Sequence, residues 1–111
     1  MYIHMNMNSS DNHAGGYSLF FGTLANEKRL AIMNILRKKS LCVSEICAKT
    51  GFEQTLVSHH LKMLEYHGMV FVKREGKYKY FSLNERTIQP LLELIDSHMK
   101  QYCCKILEGT R

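Results

Sequence analysis

A glycine separates two short amphipathic segments near the middle of the 111-residue chain, and this break constrains the fold more than any other feature. Ser44 can cap a first helix over about 45–50, because a serine hydroxyl accepts hydrogen bonds from the free amides of a first turn. Gly51 then supplies the left-handed conformation that ends a helix. A second helix is predicted over about 54–67, with one buried stripe at helical spacing: Val57, Leu61 and Leu64. Two short helices joined by a glycine turn predict a helix-turn-helix.

A β-hairpin is predicted directly after this helix pair. Residues 69–73 and 78–83 are rich in β-branched or aromatic side chains, which favour strands. Residues 74–77, Arg-Glu-Gly-Lys, lie between them as a basic tip that contains a glycine. Upstream, Asn26 can cap a helix that runs through Arg37. The pattern predicts a mainly α domain with a β-hairpin wing.

The last predicted helix carries more apolar surface than one small domain can cover. It begins between Asn84 and Gln89, because the only proline, Pro90, fits only within a first turn. Its apolar stripe is about five turns long: Ile88, Leu91, Leu92, Ile95, Met99, Tyr102 and Ile106. We therefore expect part of the stripe to meet a partner helix.

The composition of the chain predicts where the domain begins and in which compartment the protein is found. Residues 1–16 are polar and predict a flexible N-terminal tail before a domain at 17–111. No stretch approaches the roughly 20 apolar residues of a membrane span, and the N-terminus lacks the basic start and apolar core of a secretory signal. We expect a cytoplasmic protein without a membrane partner. In that reducing compartment, cysteines indicate thiol chemistry or metal binding rather than structural disulfides.

The second helix of the pair has a polar face that is suited to DNA. Helical spacing leaves five side chains outward: Gln54, Thr55, Ser58, His59 and Lys62. An α-helix fits the major groove, where short hydrogen-bonding side chains reach base edges. The hairpin adds four cations: Lys73, Arg74, Lys77 and Lys79. Residues 54–83 hold five Lys/Arg and two Glu, so they carry +3 of the net charge of +5. This concentration predicts a double-stranded DNA partner.

Several segments together resemble the ArsR/SmtB family of winged helix-turn-helix repressors, over about residues 19–107. They are 24–30 (Leu-Ala-Asn-Glu-Lys-Arg-Leu), 43–46 (Val-Ser-Glu-Ile), 57–64 (Val-Ser-His-His-Leu-Lys-Met-Leu), 68–70 (Gly-Met-Val), 74–77 and Tyr80. The resemblance implies a homodimer formed mainly by the first and last helices. It also implies a recognition helix in the major groove, a wing on the DNA backbone or minor groove, and release from the operator by an inducer. No cofactor for DNA binding is implied.

The resemblance also assigns roles to individual residues. Ser58 and His59 fall where the family reads bases, and Gln54 and Thr55 fall at the helix start that meets bases and phosphate. His60 matches a family histidine that contacts phosphate or packs. Lys62, Lys73, Arg74 and Lys77 complete the expected DNA surface. Glu53 departs from the serine cap that is frequent in the family, and a glutamate caps poorly. The expected dimer contacts are Leu92, Ile95, Met99 and Tyr102.

The cysteines indicate a thiol-based inducer. Residues 41–47, Leu-Cys-Val-Ser-Glu-Ile-Cys, are similar to the Leu-Cys-Val-Cys-Asp-Leu-Cys run of the family's arsenical sensors. Cys42 is expected to precede the cap at Ser44, with Cys47 in the first turn, where helix amides favour a thiolate. As(III) and soft divalent metals prefer thiolate ligands. Cys42 and Cys47 are one sulfur short of a three-sulfur site, so a third ligand must come from elsewhere.

Cys103 and Cys104 leave two sensing schemes open. Vicinal thiols late in the last helix are similar to those that help build the site in some arsenical sensors of the family. Persulfide- and disulfide-forming members instead pair a cysteine at the Cys42 position with one late in the last helix. Asp96-x-His98 resembles half of the family's zinc motif, but Gly109 stands where a further histidine is needed. We therefore interpret Asp96 and His98 as a helix-surface pair.

Two rival classes of function are disfavoured by the sequence. An enzyme is not expected, because the chain has no glycine-rich phosphate loop, nucleophile elbow, HExxH or paired CxxC. A metal-binding interaction module without DNA binding would not need Gln54, Ser58 and His59 outward beside a basic hairpin.

Overall fold

The computed structural model describes residues 7–103 and confirms a mainly α fold with a β-hairpin wing. The elements, in chain order, are α1 (Met7–Leu24), α2 (Glu27–Leu36), β1 (Leu41–Cys42), α3 (Val43–Thr50), α4 (Gln54–Tyr66), β2 (Val70–Glu75), β3 (Tyr78–Leu83) and α5 (Ile88–Tyr102). Helices α3 and α4 form the predicted helix-turn-helix, and β2 with β3 forms the wing.

The core lies between α2, α3, α4 and the sheet. The stripe predicted on α4 is confirmed, since Val57, Leu61 and Leu64 are fully buried. The other side chains that are almost completely removed from solvent are Ile32, Met33, Leu41, Ile46, Met69, Val70 and Ile88. Burial of these apolar side chains fixes α4 from behind and leaves its opposite face to solvent.

The sheet contains a third strand that the sequence does not predict. The strand order is β1-β3-β2, and both pairings are antiparallel. In β1, Leu41 lies opposite Phe81 and Cys42 lies opposite Tyr80. This short strand attaches the segment before α3 directly to the wing.

The wing has a tighter tip than the expected four-residue one. Arg74 pairs with Lys79 and Glu75 with Tyr78, so only Gly76 and one further residue form the turn. Gly76 has φ +63°, a conformation that glycine adopts without steric cost.

Two of the predicted helix ends are confirmed by the structure, and a third is not. Asn26 caps α2 as predicted, and Gly51 ends α3 with φ +78°. The expectation that Ser44 caps α3 is wrong, because the helix begins at Val43 with Cys42 as its N-cap. Pairing of Cys42 in β1 holds it extended, so that the helix starts directly after it.

The first helix starts ten residues earlier than the boundary expected from composition. Residues 7–16, predicted to belong to a flexible tail, continue the helix of the apolar segment that follows them. No proline interrupts them, because the only proline of the chain is Pro90. The division into a tail and a domain at residue 17 stays a prediction, and Cys104 and Ile106 lie outside the described residues.

The two ends of the described chain expose apolar faces. Helix α5 begins at Ile88, within the predicted window, and Pro90 lies in its first turn. Ile88 is buried, but Ile95 is 36% exposed and Tyr102 is 67% exposed, because α5 extends beyond the core. Helix α1 likewise exposes Tyr17, Leu19 and Phe21. Among the described helices, none is long and apolar enough to cross a membrane.

Candidate nucleic-acid interface

The polar face of α4 points to solvent, as the helical spacing predicts. All five of its predicted outward side chains are exposed: Gln54, Thr55, Ser58, His59 and Lys62. The helix is amphipathic, so its hydrogen-bonding groups stand on the side opposite the core. This arrangement gives a continuous row of donors and acceptors over its first two and a half turns.

The turn before α4 is held by hydrogen bonds that fix its start. The Thr50 hydroxyl donates to the carbonyl of Ile46 at 2.8 Å and accepts from the Phe52 N–H at 3.1 Å. The Gly51 N–H donates to the carbonyl of Cys47 at 2.8 Å. Glu53 is the N-cap residue of α4 and makes no side-chain capping bond, as predicted. The first-turn amides of α4 therefore have no protein cap from that side chain.

The wing carries its cations in the open. Lys73, Arg74 and Lys77 are all exposed. Lys73 lies 4.0 Å from the carboxylate of Glu75, and both groups are largely exposed, so their attraction is weak. These cations remain available to an anionic partner.

A groove joins α4 to the wing. A cavity of about 320 Å³ lies between them, lined by Val43, Ser58, Leu61, Lys62, Glu65, Lys79 and Phe81. It brings Ser58 and Lys62 of the helix together with Lys79 of β3. The sequence places Lys79 on the hairpin, but only the fold places it beside α4.

His60 does not belong to the exposed surface. It is only 8% exposed, and this burial favours the packing role over the phosphate contact. Its Nδ1 lies 3.4 Å from a terminal nitrogen of Arg29. Burial, with the cations Arg29, His59 and Lys28 nearby, lowers the pKa of His60 below its ordinary value.

Cys42 occupies a junction between the wing and α3. Its side chain is buried, with Sγ 3.2 Å from the hydroxyl oxygen of Ser44. Its N–H donates to a carboxylate oxygen of Glu45 at 3.0 Å, and this bond is the main cause that lowers the pKa of Glu45. Cys47 lies in the second turn of α3, not the first, and packs against the core. Of the two thiols, only Cys42 lies at the helix N-terminus.

The late cysteines and the Asp96–His98 pair are separated from this junction along the chain. Cys103 is half-buried at the C-cap of α5, and Cys104 lies outside the described residues. Asp96 binds Arg37 at 2.8 Å, whereas the His98 ring lies 5.1 Å from that of Tyr102. Within residues 7–103, no three His, Cys, Asp or Glu side chains are grouped to hold a metal ion.

Comparison with known proteins identifies the family. Residues 26–71 match the family described as bacterial regulatory protein, arsR family. YceK of Bacillus subtilis, an uncharacterised HTH-type transcriptional regulator, is 33% identical over 93 residues, which cover 82% of this chain and 91% of that protein. The chain belongs to the ArsR family. It is therefore a transcriptional regulator of a DNA-binding family rather than one of a family of enzymes.

One further relative supports the assignment, and one solved structure supports the fold. The transcriptional repressor SmtB homolog of Synechocystis is 30% identical over 82 residues, which cover 74% of this chain and 62% of that protein. The solution structure of a homodimeric winged helix-turn-helix DNA-binding domain from Mycobacterium bovis has a TM-score of 0.77 at 24% identity, and covers 92% of this chain and 93% of that one. The winged helix-turn-helix fold is thereby confirmed.

Proposed function

We propose that this regulator represses transcription in the cytoplasm by binding an operator as a homodimer, with no cofactor needed for DNA binding. The observation that supports the proposal is the exposed polar face of α4 beside an open cationic wing. An α-helix with such a face fits the major groove, while a wing reaches the adjacent backbone. The Synechocystis relative is named a repressor, and we extend that activity to this chain.

The exposed side chains divide by chemistry into those that read bases and those that position the protein. Ser58 and His59 lie outward on α4 and are assigned to base edges, and Gln54 can bind adenine through two hydrogen bonds. Thr55 stands at the helix start, within reach of phosphate. The cations assigned to phosphates are Lys62, Lys73, Arg74 and Lys77, and such contacts fix register without reading sequence.

Exposed apolar surface on α1 and α5 supports the homodimer. The predicted contacts differ in burial: Leu92 and Met99 are half-buried, whereas Ile95 and Tyr102 are exposed. Exposed apolar side chains on these helices are available to an interface with a second copy of the chain. The mycobacterial structure of the same fold is described as homodimeric.

A DNA selection followed by affinity measurements tests this function. The metal-free protein is used to select duplexes from a random library, and binding of the selected duplex is measured by fluorescence anisotropy at several salt concentrations. The slope of log affinity against log salt should be about −0.9 for each phosphate contact. Ser58→Ala and His59→Ala should bind with relaxed sequence preference, whereas Lys77→Ala should weaken all duplexes alike.

The matched control for Lys77→Ala is Lys100→Ala, on the exposed surface of α5. It removes the same charge from a site outside the proposed interface and should leave the salt slope unchanged. Operator preference that is indifferent to both Ser58→Ala and His59→Ala would refute the assigned recognition face.

We further propose that the inducer acts on cysteine thiols, with As(III) or another thiophilic metal ion as the first candidate. The position of Cys42 supports this choice, because it caps α3 and pairs with Tyr80 of the wing. A ligand on its sulfur would strain both supports of α4 at once. Cys42 and Cys47 supply two sulfurs, and a third ligand has to come from outside residues 7–103 or from the partner subunit.

The alternative inducer is an oxidant or a persulfide donor, which requires only two thiols. Cys42 would then pair with Cys103 or Cys104. Release of the selected duplex by As(III), Cd(II), Zn(II) and polysulfide is measured in Cys42→Ser, in Cys47→Ser and in the Cys103→Ser/Cys104→Ser double variant. Cys47→Ser separates the two schemes, because it should impair release by metal ions but not release by polysulfide. Loss of the polysulfide response alone favours the redox scheme, and unchanged release in every variant refutes the thiol proposal.

A further inference from the structure

Arg29 connects three helices through one side chain. Its Nε donates to the carbonyl oxygen of Thr23 at 2.7 Å, at the end of α1. A terminal nitrogen of the same guanidinium lies 3.4 Å from Nδ1 of His60, in the middle of α4. Arg29 itself lies in the first turn of α2, where Asn26 caps its N–H at 3.0 Å. The planar fork of the guanidinium thus spans from the proposed dimerisation helix to the proposed recognition helix.

Both targets of this fork are removed from solvent. Thr23 is 4% exposed, and its hydroxyl donates to the carbonyl of Leu19 at 2.8 Å, so the C-terminal turn of α1 is itself held. His60 lies between the buried residues of the α4 stripe. A buried polar contact of this kind has few alternative partners, and its loss leaves unsatisfied groups inside the domain.

The chemistry of the contact fixes the protonation of His60. A guanidinium has only donors, so Nδ1 of His60 must accept and therefore carries no proton. The charged and titratable groups that act on this ring are Arg29 and Lys28 from α2 and His59 from its own helix. All of them are basic, so a proton on His60 would face cations from both sides.

We propose that Arg29 is a positioning residue that holds α4 against α1 and α2 through neutral His60, and that protonation of His60 loosens α4 and weakens operator binding. The inference rests on the proposed DNA-binding function. The direction of the pH effect follows from the lowered pKa of His60. The contact is intact at neutral pH and is lost as the pH falls through a value below 6.5.

The first arm of the test compares two arginines of the same region. Arg29→Lys keeps the charge and loses the fork, whereas Arg37→Lys alters an arginine that binds Asp96 and Asn34 instead. Affinity for the duplex selected by the wild-type protein should fall about tenfold in Arg29→Lys, the size expected for loss of a charged hydrogen bond. It should remain unchanged in Arg37→Lys. Equal affinity in Arg29→Lys and the wild type would overturn the proposal.

The second arm measures DNA affinity as a function of pH. A merely structural role of Arg29 and His60 would not make this affinity depend on pH. His60→Asn keeps an acceptor near the position of Nδ1 that does not titrate, and His67→Gln is the matched control at the end of α4. As the pH is lowered from about 7.5 to well below the ordinary histidine pKa of about 6.5, the wild type and His67→Gln should lose affinity, although histidine protonation elsewhere favours DNA. His60→Asn should not lose it. The same acid loss in His60→Asn would contradict the inference.

The third arm does not depend on DNA. The protection factors of the α4 amides, which correct hydrogen exchange for its intrinsic rate at each pH, should be lower in Arg29→Lys than in Arg37→Lys at neutral pH, and should fall in the wild type on acidification. If no duplex is selected at all, the proposed function fails and exchange alone decides the positioning role. Unchanged exchange in Arg29→Lys, with or without DNA binding, rejects that role.

Discussion

At the residue scale, one amide side chain secures the start of the helix that carries Arg29. The Asn26 side chain accepts from the N–H groups of Lys28 and Arg29, each at 3.0 Å. Asn26→Ala should therefore destabilise the protein by about 1 kcal/mol, the usual cost of losing an N-cap. Urea unfolding measures it, with Asn34→Ala, an exposed position of the same helix, as control. Equal midpoints for both variants would show that the cap contributes nothing.

A second residue-scale prediction concerns acid stability. The Cys42 N–H holds the pKa of Glu45 below its ordinary value of 4.5. A lowered pKa stabilises the folded state above the ordinary value, and this contribution is lost as the pH falls through the folded pKa. The wild type should therefore be more stable than Glu45→Gln near pH 6, and the difference should shrink toward about pH 3. Urea midpoints at both pH values measure it, and a constant difference would contradict the stated cause.

At the element scale, the α3–α4 turn depends on the backbone of one residue. Gly51 has φ +78° and ψ 4°, and a Cβ built there meets no atom within 4 Å. Gly51→Ala should cost about 1–2 kcal/mol from left-handed strain alone, since no clash adds to it. The matched change Gly16→Ala in α1 also meets open space and should stabilise by about 0.5–1 kcal/mol, because alanine favours a helix interior. The two substitutions should therefore change the free energy of unfolding in opposite directions.

Elements with local causes are predictable from this sequence, whereas those with distant causes are not. The Asn26 cap, the Gly51 turn and the Pro90 position depend on neighbours within a few residues, and all three are confirmed. Strand β1 is missed because its partners, Phe81 and Tyr80, lie about forty residues away. The error in the cap of α3 has the same origin, because pairing with that distant strand makes Cys42, rather than Ser44, the N-cap of the helix.

The candidate site likewise has features that the local sequence predicts and features that depend on distant residues. Helical periodicity alone predicts which α4 side chains point outward, and five of the six named on that helix are exposed. The sixth, His60, is polar in sequence yet buried in the fold. Its partner Arg29 is 31 positions distant, so no pattern within α4 reveals the contact. Lys79 is a residue that the fold adds to the surface beside α4, since only the hairpin register brings it beside Lys62.

At the scale of the whole molecule, the apolar ends of α1 and α5 decide whether two recognition helices can act together. Two-fold symmetric regulators read two half-sites, so a monomer retains only half of the base and phosphate contacts. Ile95 lies in the centre of the exposed α5 stripe and is the sharpest probe of this interface. Ile95→Glu places a charge on a surface that would have to be buried, which costs far more than the lost apolar contact.

Ile95→Glu should therefore sediment as a monomer at micromolar concentration and bind the selected duplex about a hundredfold more weakly or worse, because each tenfold step corresponds to about 1.4 kcal/mol of lost contacts. Ser97→Glu adds the same charge to the opposite side of α5 and should remain dimeric with unchanged affinity. Helix content by circular dichroism should be the same in both variants, since Ile95 lies outside the core of one subunit. A dimeric Ile95→Glu protein would exclude the α5 stripe from the interface, and a monomer with full affinity would show that one recognition helix is sufficient.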